Sequence, residues 1–164
     1  MLITRYAYLA DIPLIRTLTF KVWPQTYAPI LSEEQIAYML DMMYRPIALE
    51  KQMQNGHQFI ICYDEELPVG FASYEAMDQE VYKLHKIYVL ADQQGKGIGN
   101  HMLQFIKNDI TKKGGEALDL NVNRYNQTAI SFYNKQGFNF LKEEDIHIGK
   151  NFFMNDYVLR LALV

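Results

Sequence analysis

The apolar residues of this chain change their period near Gln58, and that change limits the folds open to it. Before it, after an opening strand at Ile3–Tyr8, the spacing is helical. Asp11 with Pro13 marks a helix start, and Leu14, Ile15, Leu18 and Val22 fall on one face. Trp23, Pro24 and Tyr27–Leu31 are expected to break that helix and form an aromatic connection. Ser32-Glu33-Glu34-Gln35 is a capping box, in which the Ser32 hydroxyl takes the Gln35 amide and the Gln35 side chain reaches back. Ile36, Met39, Leu40 and Met43 follow at i, i+3, i+4 and i+7, so a helix is expected there. Pro46 starts a further helix, ending near Asn55-Gly56.

From Gln58 the spacing is that of strands. Gln58–Tyr63 and Val69–Ala76 read as a hairpin across the polar turn Asp64–Pro68, and Asp78–Glu80 turns the chain into a third strand, Tyr82–Leu90. A glycine loop comes next, then a helix marked by Ile98, Met102, Leu103, Ile106 and Ile110 that stops at Gly114-Gly115. Ala117–Val122 is a strand. Asn126 caps a short helix with Ala129, Phe132 and Tyr133 on its apolar face, and Gly137 is a left-handed stop. Phe138–Ile148 and Phe152–Leu163 close the chain as an antiparallel pair around Gly149–Asn151. This order predicts an α/β (α+β) fold: a mixed sheet with helices on its faces, without the regular alternation of a doubly wound fold. No repeat or linker interrupts the 164 residues, and one domain over 1–164 is expected.

Composition removes several function classes. A formal charge of -3 argues against a non-specific nucleic-acid binder, which needs a basic face. Cys62 is the only cysteine, so neither a disulfide framework nor a thiolate metal site forms within one chain. Within the apolar run Phe59–Tyr63 it reads as a small buried residue rather than a nucleophile. His57, His101 and His147 lack metal-site spacing and read as surface or packing residues, and no metal is expected. Met1–Asp11 lacks the basic region and apolar block of a signal peptide, and no apolar run approaches ~18 residues. A cytoplasmic protein without membrane contact is expected, and a homodimer is left open.

The loop Gln94-Gly95-Lys96-Gly97-Ile98-Gly99-Asn100 lies between a strand and an amphipathic helix. The first helical amides have no internal partner and the dipole is positive there, which favours an anion. Glycines at 95, 97 and 99 let the backbone approach a phosphate. A P-loop needs Lys and then Ser/Thr after its last glycine, but Gly99 is followed by Asn100-His101. A dinucleotide fingerprint needs a glycine at its sixth position, where this chain has Asn100 or, counted from Gly97, Met102.

Gln94-x-x-Gly97-x-Gly99 after Ile87-Tyr88-Val89-Leu90 resembles the acetyl-CoA signature of the Gcn5-related N-acetyltransferases, the GNAT family. Asn123-Arg-Tyr-Asn126 with Phe132-Tyr133-Asn-Lys-Gln-Gly137-Phe138 resembles the second hallmark, an asparagine at a helix start and a tyrosine seven residues later. The strand order matches too, so the resemblance covers nearly the whole chain.

The resemblance implies a mostly antiparallel sheet of about seven strands, with one splayed strand pair holding CoA. It implies that backbone groups of Ile87, Tyr88 and Val89 meet the acetyl carbonyl and pantetheine amides. The amides of Gln94, Gly95, Lys96, Gly97, Ile98, Gly99 and Asn100 would hold the pyrophosphate, and the Lys96 side chain either touches a phosphate or is solvated. Asn126 would bond the pantetheine arm as well as cap its helix. Tyr133 would be the general acid: a phenol of pKa ~10 can donate to a leaving thiolate of pKa ~8.5 as charge develops. The attacking alkylammonium, of pKa ~10, must also lose a proton. His85 shares a strand face with Ile87 and Val89 and has a pKa suited to a base, although the family often has glutamate at this distance from the loop. Glu75 is the second candidate base, and a structural histidine is the competing reading of His85.

The acceptor is less constrained. Trp23, Tyr27, Tyr38 and Tyr44 with Glu33, Glu34 and Asp41 make the first helices aromatic and acidic, which suits a cation. Glu33 and Glu34 also simply favour a helix N-terminus. Thr26-Tyr27 and Leu31–Gln35, with Lys83–Val89, loosely resemble the bacterial polyamine (spermidine/spermine) acetyltransferases. A small polyamine-like primary amine is the expected acceptor. A protein N-terminus or lysine, an antibiotic amine, or acetyl-CoA binding without turnover, are the alternatives.

Overall fold

The computed structural model describes residues 1–164. In chain order the elements are β1 (Leu2–Ala7), α1 (Ile12–Tyr27), α2 (Glu33–Tyr44), α3 (Pro46–Gln54), β2 (Gln58–Asp64), β3 (Leu67–Ala76), β4 (Val81–Val89), α4 (Ile98–Lys112), β5 (Ala117–Asn123), α5 (Gln127–Lys135), β6 (Asn139–Gly149) and β7 (Phe152–Ala162). The strands form one seven-stranded sheet in the order β1-β2-β3-β4-β5-β7-β6. Backbone contacts divide the chain into two compact units, Met1–Glu75 with Lys86–Ile106 and Ala76–His85 with Lys107–Val164. No helix is long and apolar enough to cross a membrane.

In the first unit β1, β2 and β3 pair antiparallel, with Arg5 opposite Ile61 and Ile61 opposite Phe71. Phe59, Ile60, Ile61 and Cys62 are all fully buried, so β2 is covered on both faces. On one face Trp23 of α1 and Tyr44 of α2 meet edge-on, and Tyr44 meets Phe71 in the same way. On the other face Phe105 of α4 packs against Tyr6. Burial raises the Cys62 thiol above its ordinary pKa, as a small core residue requires.

One local expectation needs correction. Helix α1 does not break at Trp23-Pro24 but runs to Tyr27, and the Ala28 amide donates to the Pro24 carbonyl at 3.0 Å. Burial of Trp23, 1% exposed, holds that turn in place. The carbonyl that Pro24 deprives of a partner belongs to exposed Phe20, where water can take over. At its other end α1 starts as expected, with Asp11 just before its first residue and Pro13 in its first turn, while the Asp11 side chain bonds elsewhere. It forms a two-point pair with Arg5 at 2.8 and 3.0 Å and accepts the Tyr8 amide at 2.9 Å. The expected cap at α2 is present, with the Gln35 amide donating to Ser32 Oγ at 3.1 Å, while the Gln35 side chain turns toward Met39 Sδ. Arg45, extended before Pro46, separates α2 from α3.

In the second unit β4 pairs parallel with β5, from Val81 opposite Ala117 to Leu84 opposite Leu120. The ladder ends there, although β4 continues to Val89 and β5 to Asn123. Strand β5 then pairs antiparallel with β7, which forms a long hairpin with β6. Leu118, Leu120 and Val122 are buried, and on the alternate positions Asp119 takes Arg160 at 2.7 and 2.9 Å.

Candidate active site

The end of β4 and the start of α4 lie in the first unit. His85, Ile87 and Val89 are half-buried and alternate along β4 with Leu84, Lys86 and Tyr88. At Tyr88 the backbone comes unusually close to β3. A Cβ added to Gly70 would lie 2.7 Å from the Tyr88 carbonyl oxygen and 3.0 Å from Met102 Cε. Glycine is therefore required where this predicted donor strand passes β3.

A short 3-10 turn, Ala91–Gln93, leads into the loop. Gly95 and Gly97 have φ of +81° and +77°, and nothing lies within 4 Å of a Cβ added at either. These residues thus adopt a backbone that glycine permits, and they leave open space beside it. The His101 amide donates to the Gly97 carbonyl at 2.9 Å, which starts the helical ladder. The amides of Ile98, Gly99 and Asn100 precede it, in the turn where a helix has no internal acceptors to offer. Gln94 Nε2 reaches back to the Val89 carbonyl at 3.4 Å, and Lys96 Nζ is held by Gln93 Oε1 at 3.0 Å. The predicted residues from Ile87 to Asn100 therefore form one continuous strand, turn and helix start.

Asn126 and Tyr133 lie on one helix of the second unit. Asn126 Oδ1 accepts the Ala129 amide at 3.2 Å, so its expected capping role is present. Tyr133 is 8% exposed and stacks edge-on with Phe132 and Phe138.

Sequence reading missed a set of ionisable groups in the first unit. Lys86, 5% exposed, donates to Gln52 Oε1 at 2.8 Å and lies 5.2 Å above the Tyr44 ring. Burial pulls its pKa down to about 8, against the attraction of Glu75. Glu75 Oε1 is 3.2 Å from Nε2 of His57, the residue expected to be a surface or packing histidine. Burial lowers the pKa of His57, with Lys86 acting in the same direction and Glu75 against it. The alternation Leu84-x-Lys86-x-Tyr88 was the available signal, because it places a lysine on an apolar strand face.

The aromatic wall on the first helices is also corrected. Trp23 and Tyr44 are 1% and 0% exposed and belong to the core, where burial pushes the Tyr44 phenol far above its ordinary pKa. Tyr27 and Tyr38 remain half-buried, while Glu33, Glu34 and Asp41 are exposed.

Residues 27–154 match the family model described as the acetyltransferase (GNAT) domain. An uncharacterized N-acetyltransferase of Methanocaldococcus jannaschii is 31% identical over 96 residues, which are 55% of this chain and 42% of that protein. The chain thus matches less than half the length of that relative. The spermidine N(1)-acetyltransferase of Thermoplasma acidophilum is 28% identical over 137 residues, covering 80% of this chain and 82% of that protein. Among solved structures, the PaiA N-acetyltransferase of Thermoplasma acidophilum in complex with coenzyme A superposes with a TM-score of 0.83. It does so at 24% identity and over 99% of each chain, so the likeness is one of fold.

Proposed function

The chain belongs to the GNAT acetyltransferase family, and from that premise we propose that it moves acetyl from acetyl-CoA to a primary amine of a small, polyamine-like molecule. We take it to act as a single domain over 1–164. The observation that carries this reading is the loop joined to β4, with left-handed Gly95 and Gly97 and open space beside them ahead of the α4 amides. Such a turn suits a pyrophosphate, because backbone donors and the helix dipole face the anion. The coenzyme A bound to the PaiA relative supports the same donor. The spermidine N(1)-acetyltransferase relative supports a polyamine-like acceptor.

In this reading the amides from Gln94 to Asn100 hold the pyrophosphate. The backbone of Ile87, Tyr88 and Val89 holds the pantetheine arm and the acetyl carbonyl. The Asn126 cap engages its oxygen, so its amide nitrogen is the group that serves the pantetheine arm. The acceptor ammonium gives its proton to His85, and the neutral nitrogen attacks the thioester carbon. A C–N bond forms, the C–S bond breaks, Tyr133 protonates the departing sulfur, and the proton then shed by the acylated nitrogen returns through solvent to the Tyr133 phenolate. Positioning and electrostatics contribute more of the rate than this proton does.

An amine panel assayed for acetyl-CoA-dependent thiol release tests the reading. Spermidine or a related diamine should give turnover, whereas release with peptide amines alone would move the acceptor class to proteins. Tyr133→Phe should lower kcat by about 10²-fold or less with acetyl-CoA affinity kept; an unchanged rate removes Tyr133 from the chemistry. His85→Ala should flatten the acid limb of the pH–rate profile, and a limb persisting at the same pH would assign it to another group.

A further inference from the structure

Lys86 is an unusual choice for its position. An apolar side chain would fill the space without the cost of desolvating an ammonium, so the lysine brings direction rather than cheap stability. Its directed contacts reach three elements. Nζ donates to Gln52 of α3 at 2.8 Å and lies over the rings of Tyr44 of α2 and Phe59 of β2, at 5.2 and 5.6 Å. Glu75 of β3, paired with His57, adds attraction. Gln52 passes the link on, because its Nε2 donates to the Met43 carbonyl at the end of α2 at 2.9 Å.

Two residues along β4 the arrangement recurs. The hydroxyls of Tyr88 and Tyr27 of α1 are 3.0 Å apart, and the Tyr88 ring packs against Trp23 and Phe71 at 6.2 and 5.7 Å. Side chains from Lys86 and Tyr88 therefore bind one strand to all three of the first helices. Between and beside them lie Ile87 and Val89, whose backbone holds the acetyl group in the function proposed above, on which this inference rests.

We propose that Lys86 and Tyr88 are positioning residues, which strap Ile87–Val89 to α1, α2 and α3 and so fix where the thioester carbonyl is held. The pyrophosphate loop lies outside the strap, so donor affinity should survive its loss while the placement of the reacting carbon suffers. Misplacement of a reacting atom by about 1 Å can cost up to ~10²-fold in rate.

The test compares Lys86→Met, Gln52→Leu, their double variant and Tyr88→Phe with the wild type. Lys86→Met should lower kcat by about tenfold, with the KM for acetyl-CoA within about twofold. Gln52→Leu breaks the same link, so the double variant should lose no more than the larger single loss. Unchanged kcat in folded Lys86→Met, or losses that multiply in the double variant, would overturn the strap. Should Lys86→Met not fold, Tyr88→Phe deletes only one oxygen and keeps the question answerable. Amide exchange at Ile87–Val89 should then quicken by about tenfold, and an unchanged rate would overturn the strap at that residue. A wild type that acetylates no amine refutes the proposed function alone, because the exchange comparison still decides the strap.

Discussion

At Gly70 a hydrogen atom stands where any other residue would put carbon 2.7 Å from the Tyr88 carbonyl oxygen. That neighbour is backbone and cannot swing away, so Gly70→Ala must displace β4 itself. A loss of about 1–3 kcal/mol is expected, read as a lower denaturation midpoint with an unchanged slope. Lys86 makes a prediction of opposite character. Its folded pKa of about 8 lies below the ordinary 10.5, so between those pH values the unfolded chain holds more protons. Unfolding free energy therefore rises with pH in that window, and the cost of the buried ammonium, present in full below pH 8, is relieved above it. Melting the wild type and Lys86→Met from pH 7 to 10.5 should show the wild type gaining on the variant; parallel curves would mean an ordinary lysine. Neither residue stood out in the sequence. Gly70 looked like any strand glycine, and the demand on it comes from a carbonyl 18 positions away in sequence, at Tyr88.

Elements were legible where local chemistry decides them. The oxygen caps of Ser32 and Asn126 both form, because a side-chain oxygen and an amide three residues on need no tertiary help. The end of α1 was not legible, because Pro24 would stop an isolated helix, whereas buried Trp23 and the Tyr27–Tyr88 contact tie its last turn to the rest of the fold. The start of α1 at Asp11 and Pro13 was legible, although Arg5 on β1 claims the Asp11 carboxylate, which sequence does not show. Helix α5 gives a prediction that separates structure from chemistry. Asn126→Ala should cost about 1 kcal/mol by losing the cap, whereas Asn126→Ser should keep nearly all of that stability. If the amide nitrogen also serves the pantetheine arm, both variants should raise the KM for acetyl-CoA. A serine variant with wild-type KM and stability would leave Asn126 a cap only.

For the whole molecule, the switch from helical to strand period near Gln58 and the run of three strands after it gave the mixed sheet, and seven strands form it. What period cannot give is strand order, such as β7 lying between β5 and β6. That order follows from Asn123 facing Asp156 and Phe140 facing Leu159. The candidate site was partly legible for the same reason. The glycine loop and Asn126 lie in local motifs, whereas the environment of Lys86 is assembled from α2, α3, β2 and β3. Acetyl transfer from acetyl-CoA to a small amine is read out by free CoA thiol, followed with acetyl-CoA alone and with added spermidine. Thiol release should require both substrates and yield one acetylated amine per thiol. Release from neither spermidine nor any other amine, by folded protein at saturating acetyl-CoA, would contradict that transfer.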